Sequence, residues 1–211
     1  MKHILIILTL FSSLSYFAHA EMFNAFTEDG RAVVLFDNGT WLFKPDPIQK
    51  KGDEAGSGAI STAATAKLTN SRGSYSIWYD PDTWVRSESD EDENVEFYLQ
   101  MKGEDGYALT IYERIPIPLE QMKGIALENM RSAATSAKVT EEKMLSVNGE
   151  RVLYLRFEAM MSGMPFVYRG YYASGKYGTI QFLTFTHETL EDEYLVEMKK
   201  LLNGLRVNNS K

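Results

Sequence analysis

The chain contains no cysteine among its 211 residues. This absence excludes disulfide bonds, thiolate nucleophiles and cysteine-ligated metal centres. Histidine is nearly as scarce, because two of the three, His3 and His19, lie in the first twenty residues, which leaves only His187 in the rest of the chain. We therefore expect neither a hydrolytic triad nor a two-histidine metal site. His187 precedes a predicted helix, where a capping or surface position is the expected role.

Sequence motifs of common catalytic sites are also missing. The chain has no phosphate-binding loop, no dinucleotide fingerprint and no Gly-x-Ser-x-Gly elbow. Carboxylates are the remaining candidates for catalysis, so we expect that the protein is not an enzyme and that it carries no cofactor. An excess of basic residues is lacking too, since 22 Lys and Arg face 29 Asp and Glu, for a net charge of −7. That balance argues against nucleic acid as a partner.

The first twenty residues have the features of a secretory signal peptide. Lys2 and His3 form a short basic start, residues 4–17 are mostly apolar, and Ala18-His19-Ala20 fits a signal-peptidase site. The apolar run is shorter than the roughly 20 residues that a spanning helix needs. We therefore predict cleavage near Ala20, no transmembrane span afterwards, and a bacterial periplasmic or secreted protein.

Two segments separate the signal peptide from the main domain. Residues 21–44 contain the hairpin dipeptides Asp29-Gly30 and Asn38-Gly39 between β-forming stretches, which predicts a small three-stranded β-meander. Its "TEDGR…NGTW" pattern resembles a short element near the start of exported bacterial proteins. Such a small sheet is marginally stable alone, so docking on the main domain or on a partner is expected. Residues 45–70 are rich in Pro, Gly, Ser, Thr and Ala, which predicts a flexible linker.

The main domain is predicted at residues 71–207, in the order strand, two strands, helix, four strands, helix. An Asn148-Gly149 pair predicts a tight hairpin, because both residues tolerate positive φ. Apolar residues at helical spacing from Leu190 to Leu205 predict the last helix, with Gly204 as its C-terminal cap. Several strands carry apolar residues on both faces, which is typical of a sheet covered on both sides. The sequence therefore predicts an α+β fold.

Three short patterns in this domain resemble the PsbP/Mog-type domain. They are the opening strand and turn Tyr-Ser-Ile-Trp-Tyr-Asp-Pro-Asp-Thr-Trp at residues 75–84, the hairpin Val-Asn-Gly-Glu-Arg-Val at 147–152, and the closing helix at 197–205. Asp82 and Thr83 depart from the Ser-Gly usual before the tryptophan. The resemblance implies a three-layer α/β/α sandwich around a central antiparallel sheet, and a binding or assembly role. Plant PsbP proteins support photosystem II and nuclear Mog proteins bind the GTPase Ran, but neither partner surface is matched here.

Three groups of residues are candidates for ligand binding. Met160, Met161 and Met164 surround one hairpin loop, where thioethers suit Cu(I) or form a pliable apolar tip. Tyr171 and Tyr172 belong to a set of aromatic residues that fits either a sugar-stacking face or sheet core. The third group is acidic and fits weak Ca²⁺ binding or a solvated loop: Glu88, Asp90 and Asp92.

The function predicted from these features is an exported, noncatalytic module that binds or helps to assemble another envelope protein. Its expected partner is a periplasmic or membrane-associated protein. The alternative is a periplasmic protein that binds a small ligand or a Ca or Cu ion, and an enzyme of unrecognised type ranks third.

Overall fold

The computed structural model describes residues 58–87 and 95–208, together with the backbone of three short strands near the N-terminus. The chain divides into two units at Pro45. In the first unit, strands β1 (Phe23–Phe26), β2 (Ala32–Leu35) and β3 (Trp41–Phe43) pair antiparallel in the order β1-β2-β3. The predicted signal peptide, its cleavage site and the turns of the predicted meander lie outside the described residues.

The second unit consists of antiparallel strands and two α-helices. The helices are α1 (Leu119–Ala133) and α2 (Glu191–Leu202), the latter preceded by a one-turn 3-10 helix at Glu188–Leu190. The strands are β4 (Ala66–Thr69), β5 (Tyr75–Tyr79), β6 (Trp84–Ser87), β7 (Val95–Met101), β8 (Gly106–Glu113), β9 (Ser136–Val147), β10 (Glu150–Met161), β11 (Met164–Gly175), β12 (Gly178–His187) and β13 (Leu205–Val207).

Seven of these strands form the main sheet, in the order β6-β7-β8-β12-β11-β10-β9. Two-residue turns join β9 to β10 and β10 to β11. Asn148 and Gly149 adopt φ of 50° and 86°, as the predicted hairpin requires. Ser162 and Gly163, with φ of 50° and 81°, make a second turn of this kind, and β10 and β11 pair up to Met161 and Met164 on either side of it.

The two helices pack on opposite faces of this sheet. On β10, Leu153, Leu155 and Phe157 belong to a core cluster with Met122 of α1, and the alternate residue Val152 belongs to a cluster with residues of α2. Because successive side chains of a strand point to opposite faces, the sheet has an α1 face and an α2 face. The described fold is therefore α+β with antiparallel sheets and two helices, which confirms the predicted fold class.

A second sheet, in the order β13-β5-β4, adds to the core on the α2 face. Tyr75 of β5 is fully buried, and its ring contacts Phe97 and Tyr112 of the main sheet. Trp84, at the start of β6, is 2% exposed within the same cluster, as expected for a core residue. This small sheet joins the start of the domain to its end.

Two local predictions are wrong. The linker prediction fails at β4, because Ala66 to Thr69 pair with β5 and extend the domain towards the N-terminus. Further upstream, Gly58 forms a parallel bridge with Val147 of β9. The capping prediction for Gly204 fails because Asn203 is the C-cap residue of α2 and Gly204 lacks the positive φ of a capping glycine. Gly204 lies instead against β5, where its carbonyl accepts from Trp78 N at 2.9 Å and a Cβ would collide with the Trp78 carbonyl.

Candidate functional site

The three methionines predicted as a cluster do not converge. Met161 and Met164 are paired across the β10–β11 turn and share the α1 face, where Met161 packs against the core and Met164 is 50% exposed. Met160, one residue away on β10, points to the α2 face and lines a separate surface pocket. The three sulfurs are therefore divided between the two sides of the sheet.

Tyr171 and Tyr172 are separated in the same way. The Tyr171 hydroxyl donates to Asn203 Oδ1 at 3.0 Å on the α2 face, whereas Tyr172 is buried on the α1 face. Burial raises the pKa of both phenols. Both residues contribute to core clusters, and Tyr172 also lines the cleft described below.

The predicted acidic site, Glu88, Asp90 and Asp92, lies outside the described residues. Within the part of the chain that the structure describes, no group of three or more His, Asp or Glu side chains is arranged to hold a metal ion. In the same part of the chain no helix is long and apolar enough to cross a membrane. His187 caps the 3-10 helix: its Nδ1 accepts from the Thr189 amide at 3.3 Å, which confirms the capping role predicted for it.

A half-buried cluster of charged residues lies on the α2 face. Arg169 donates to the Glu191 carboxylate and to the Tyr154 hydroxyl, and Tyr154 in turn donates to Glu141 Oε2 at 3.2 Å. Hydrogen bonds from Arg156, together with Arg169, hold the pKa of Glu191 below its ordinary value. Burial raises the pKa of Tyr154 to about 12. This cluster connects α2 to the sheet, and no sequence motif marks it because its members lie far apart along the chain.

The α1 face is covered by helix over only part of its width. Helix α1 packs mainly on β9, β10 and β11. Farther across the same face, apolar side chains on β6, β7, β8 and β12 remain partly exposed, and Val85 is 44% exposed. We call this surface the open half-face, and it consists of Val85, Tyr98, Tyr107, Leu109, Ile111 and Phe185.

On the α2 face, the same strands are covered. Leu99 of β7 and Ala108 of β8 alternate with Tyr98 and Leu109 and point to the α2 face, where both are 0% exposed. The small sheet packs over them there. Leu99 and Tyr98 are neighbours on one strand and differ in burial. The exposure of the open half-face therefore comes from missing cover on the α1 face, and not from a position at the end of a strand.

A cleft of about 780 Å³ lies between the open half-face and α1. The α1 side of the cleft is formed by small or polar residues and one methionine: Ala126, Asn129, Met130, Ser132 and Ala133. Its floor is formed by the sheet, with Leu109 and Ile111 of β8 and Leu183 and Phe185 of β12 among the lining residues.

Aromatic side chains cross the floor of this region in a row. Phe185 stacks on Tyr107 of β8 with ring centroids 5.4 Å apart and on Tyr168 of β11 at 5.0 Å, and Tyr98 of β7 lies 6.2 Å from Tyr107. Phe185 therefore stacks with rings on the strands at either side of β12, which leaves less of its ring face available to a ligand. Sugar stacking needs an available ring face, so this row is poorly suited to it.

Gln181, a polar side chain on the floor of the cleft, has no hydrogen-bond partner among the described residues. Gln181 of β12 lines the cleft between Ile111 and Tyr172, is 5% exposed, and its amide forms no hydrogen bond with any described residue. The amide is accessible from the cleft and not sealed in the core, so it is available to a ligand that reaches the floor. Sequence reasoning did not single out Gln181, because a lone Gln in an apolar strand carries no motif.

Comparison with known proteins supports the fold and goes no further. The chain is similar to cyanobacterial PsbP (CyanoP) from Synechocystis sp. PCC 6803, with a TM-score of 0.54 and 13% identity over 75% of this chain and 99% of that one. It also matches a variant of the protein Mog1 (TM-score 0.44, 6% identity, 67% of this chain and 95% of that one). A third match is LpqN of Mycobacterium tuberculosis, described as involved in cell envelope biogenesis (TM-score 0.40, 8% identity, 64% and 83%).

No family model and no curated protein matches the chain. The likeness to CyanoP shows a PsbP-like fold for the domain, in agreement with the predicted resemblance.

Proposed function

We propose that the protein is an exported, noncatalytic binding module that engages another envelope protein through the open half-face. The observation that carries this proposal is the uneven coverage of the main sheet. Leu99 and Ala108 are sealed on the α2 face, while Tyr98 and Leu109 beside them on the α1 face are only partly buried. A contiguous apolar surface of this kind, edged by polar groups, is typical of a binding site.

The rest of the proposal has separate support. Export is favoured by the signal-peptide features of residues 1–20, and the partner is then a periplasmic or membrane-associated protein. A noncatalytic role is favoured because His187 and the most buried charged residues, Arg156, Arg169 and Glu191, are engaged in structural contacts. We further propose the three-layer α/β/α description for the domain, with α2 and the small sheet together forming one outer layer.

Site-specific photo-crosslinking in the source bacterium tests the binding proposal. A photoreactive phenylalanine analogue replaces Tyr98 on the open half-face or, in a matched control, Val196, which is 58% exposed on α2. We expect one dominant adduct with an envelope protein from position 98 and none from position 196. Equal labelling from both positions, or no adduct from position 98, would contradict the proposal.

The noncatalytic part of the proposal has its own test. The purified protein is screened against a panel of ester, glycoside and phosphate substrates. We expect no turnover that depends on a particular side chain. Turnover that a single substitution of an Asp or Glu abolishes would show that the protein is an enzyme.

A further inference from the structure

We infer that the occupant of the open half-face is an amphipathic α-helix of the partner, lying beside α1 with its apolar side on the sheet and basic residues at its border. This inference rests on the proposed function and specifies the structural element that the site recognises. Four features of the cleft support it: its width, its α1 side, the arrangement of its rings and its charge.

The width of the uncovered surface matches one helix. Strands in a sheet are about 4.8 Å apart, so β6, β7, β8 and β12 provide a strip roughly 15–19 Å wide. A helix with its side chains is about 10–12 Å in diameter and packs with its axis about 8–10 Å from a neighbouring helix. One helix therefore fits on the strip next to α1.

The side of α1 that borders the cleft permits close packing of a second helix. Ala126, Ser132 and Ala133 are small, and Met130 is flexible enough to adapt to a partner side chain. Asn129 adds a polar group at the border of the same surface. A docked helix would thus contact both α1 and the floor of the cleft, in the helix-in-groove mode of peptide recognition.

The ring arrangement favours aliphatic side chains over sugars or planar ligands. Because Phe185 is already stacked with Tyr107 and Tyr168, the cleft offers mainly the branched side chains of Leu109 and Ile111. Leu, Ile and Met residues at helical spacing would pack into such a surface. Gln181, on the floor, is placed to hydrogen-bond one polar side chain within the apolar side of the helix.

Charge at the cleft has one sign. Glu113 is the charged residue among its lining residues, and Asp105, at the end of the floor strands, accepts a hydrogen bond from the Tyr107 hydroxyl at 3.3 Å. No Lys or Arg belongs to the lining that the structure describes. Basic residues at the border of the docked helix would complement these carboxylates, and an acidic helix would be repelled.

Synthetic peptides added to the isotope-labelled mature protein test the inference by NMR. The probe is an amphipathic helical peptide of about 18 residues with leucines on one side and lysines at the border of that side. The controls are its glutamate counterpart, a scrambled sequence and a version with a central proline. We expect amide shifts confined to β7, β8, β12 and the cleft side of α1, and affinity at least roughly tenfold higher than for any control peptide.

Gln181→Leu provides a variant that keeps the fold. It removes an unpartnered amide and keeps a similar volume, so the melting temperature should not fall. For a probe peptide carrying one Asn or Gln within its apolar side, we expect roughly tenfold weaker binding to this variant. Affinity for the all-leucine probe should be unchanged or higher. Equal losses for both probes would overturn the role given to Gln181.

Three outcomes would overturn the helix inference. They are shifts located elsewhere, equal binding of the glutamate or proline peptides, and a small molecule or a second copy of the chain found at the cleft by native mass spectrometry. A failed peptide experiment with a specific adduct from position 98 would reject the helix and leave the proposed function intact. Failure of both experiments would reject both.

Discussion

Arg156 on β10 binds both carboxylate oxygens of Glu191 at the start of α2, with Nε–Oε1 at 2.8 Å and Nη2–Oε2 at 2.6 Å. Arg169 on β11 donates to the same carboxylate. The three side chains are 12–16% exposed, so this is a largely desolvated group of charges. One carboxylate thus connects two strands of the main sheet to the first turn of the last helix.

Glu191→Gln should destabilise the protein by about 2–3 kcal/mol at neutral pH, because it removes the carboxylate that two half-buried guanidinium groups share. It also removes a negative charge from the helix N-terminus, where the dipole favours one. Urea unfolding followed by circular dichroism measures the change. Glu197→Gln on the same helix is the control: its ion pair with Lys200 is solvent-exposed, so a loss below about 0.5 kcal/mol is expected. Equal losses would mean that the buried cluster contributes nothing beyond a surface pair.

Acid should weaken the wild-type protein more than the Glu191→Gln variant. Hydrogen bonds from Arg156 lower the folded-state pKa of Glu191 below its ordinary 4.5. The stabilisation is therefore fully present above about pH 4.5 and is lost as the pH falls through the folded-state pKa. Unfolding free energies measured between about pH 6 and pH 3 should fall less steeply for the variant. Parallel curves would show that Glu191 does not cause the acid sensitivity.

The hairpins show where sequence reasoning works. At Asn148-Gly149 the turn chemistry and the flanking pattern agree, and the predicted turn is confirmed. Ser162-Gly163 makes an equivalent turn with a less typical pair, because Ser rarely adopts positive φ, and the sequence suggested only a loop there. Strand β4 was missed for a related reason: its alternation of half-buried and exposed residues lies at the end of a Ser, Thr and Ala tract.

The candidate site shows where sequence reasoning fails. Apolar residues on both faces of the strands indicate a sheet that is covered on both sides, but they do not reveal how many strands one helix can cover. Helix α1 lies mainly on β9, β10 and β11, so the apolar residues that β7 and β8 place on the α1 face remain partly exposed. Proximity along the chain was a misleading guide to a shared site as well, since the neighbours Tyr171 and Tyr172 point to opposite faces of the sheet.

Trp84→Ala should cost about 3–5 kcal/mol, the range expected for deleting a large core side chain. Trp84 is 2% exposed and packs in the cluster that α2 and the small sheet share. Trp78→Ala is the matched control, because this half-buried residue lies under the Lys67 ammonium at the surface, and a smaller loss is expected. Chemical denaturation of both variants provides the comparison. An unchanged midpoint for Trp84→Ala would contradict the core assignment.

Gly204→Asn distinguishes a packing role of this glycine from a capping role. Asn tolerates positive φ and substitutes for glycine at helix C-termini, so a capping glycine would accept it at little cost. Any side chain at position 204, however, would meet the Trp78 carbonyl, and the backbone there has no freedom to withdraw because Trp78 donates to the Gly204 carbonyl at 2.9 Å. We therefore expect Gly204→Asn and Gly204→Ala to destabilise the protein equally, by more than about 2 kcal/mol. Gly163→Asn is the control, since Gly163 has φ of 81° with open space around it, and it should be nearly neutral. If Asn were tolerated at position 204 while Ala was not, the capping role would be restored.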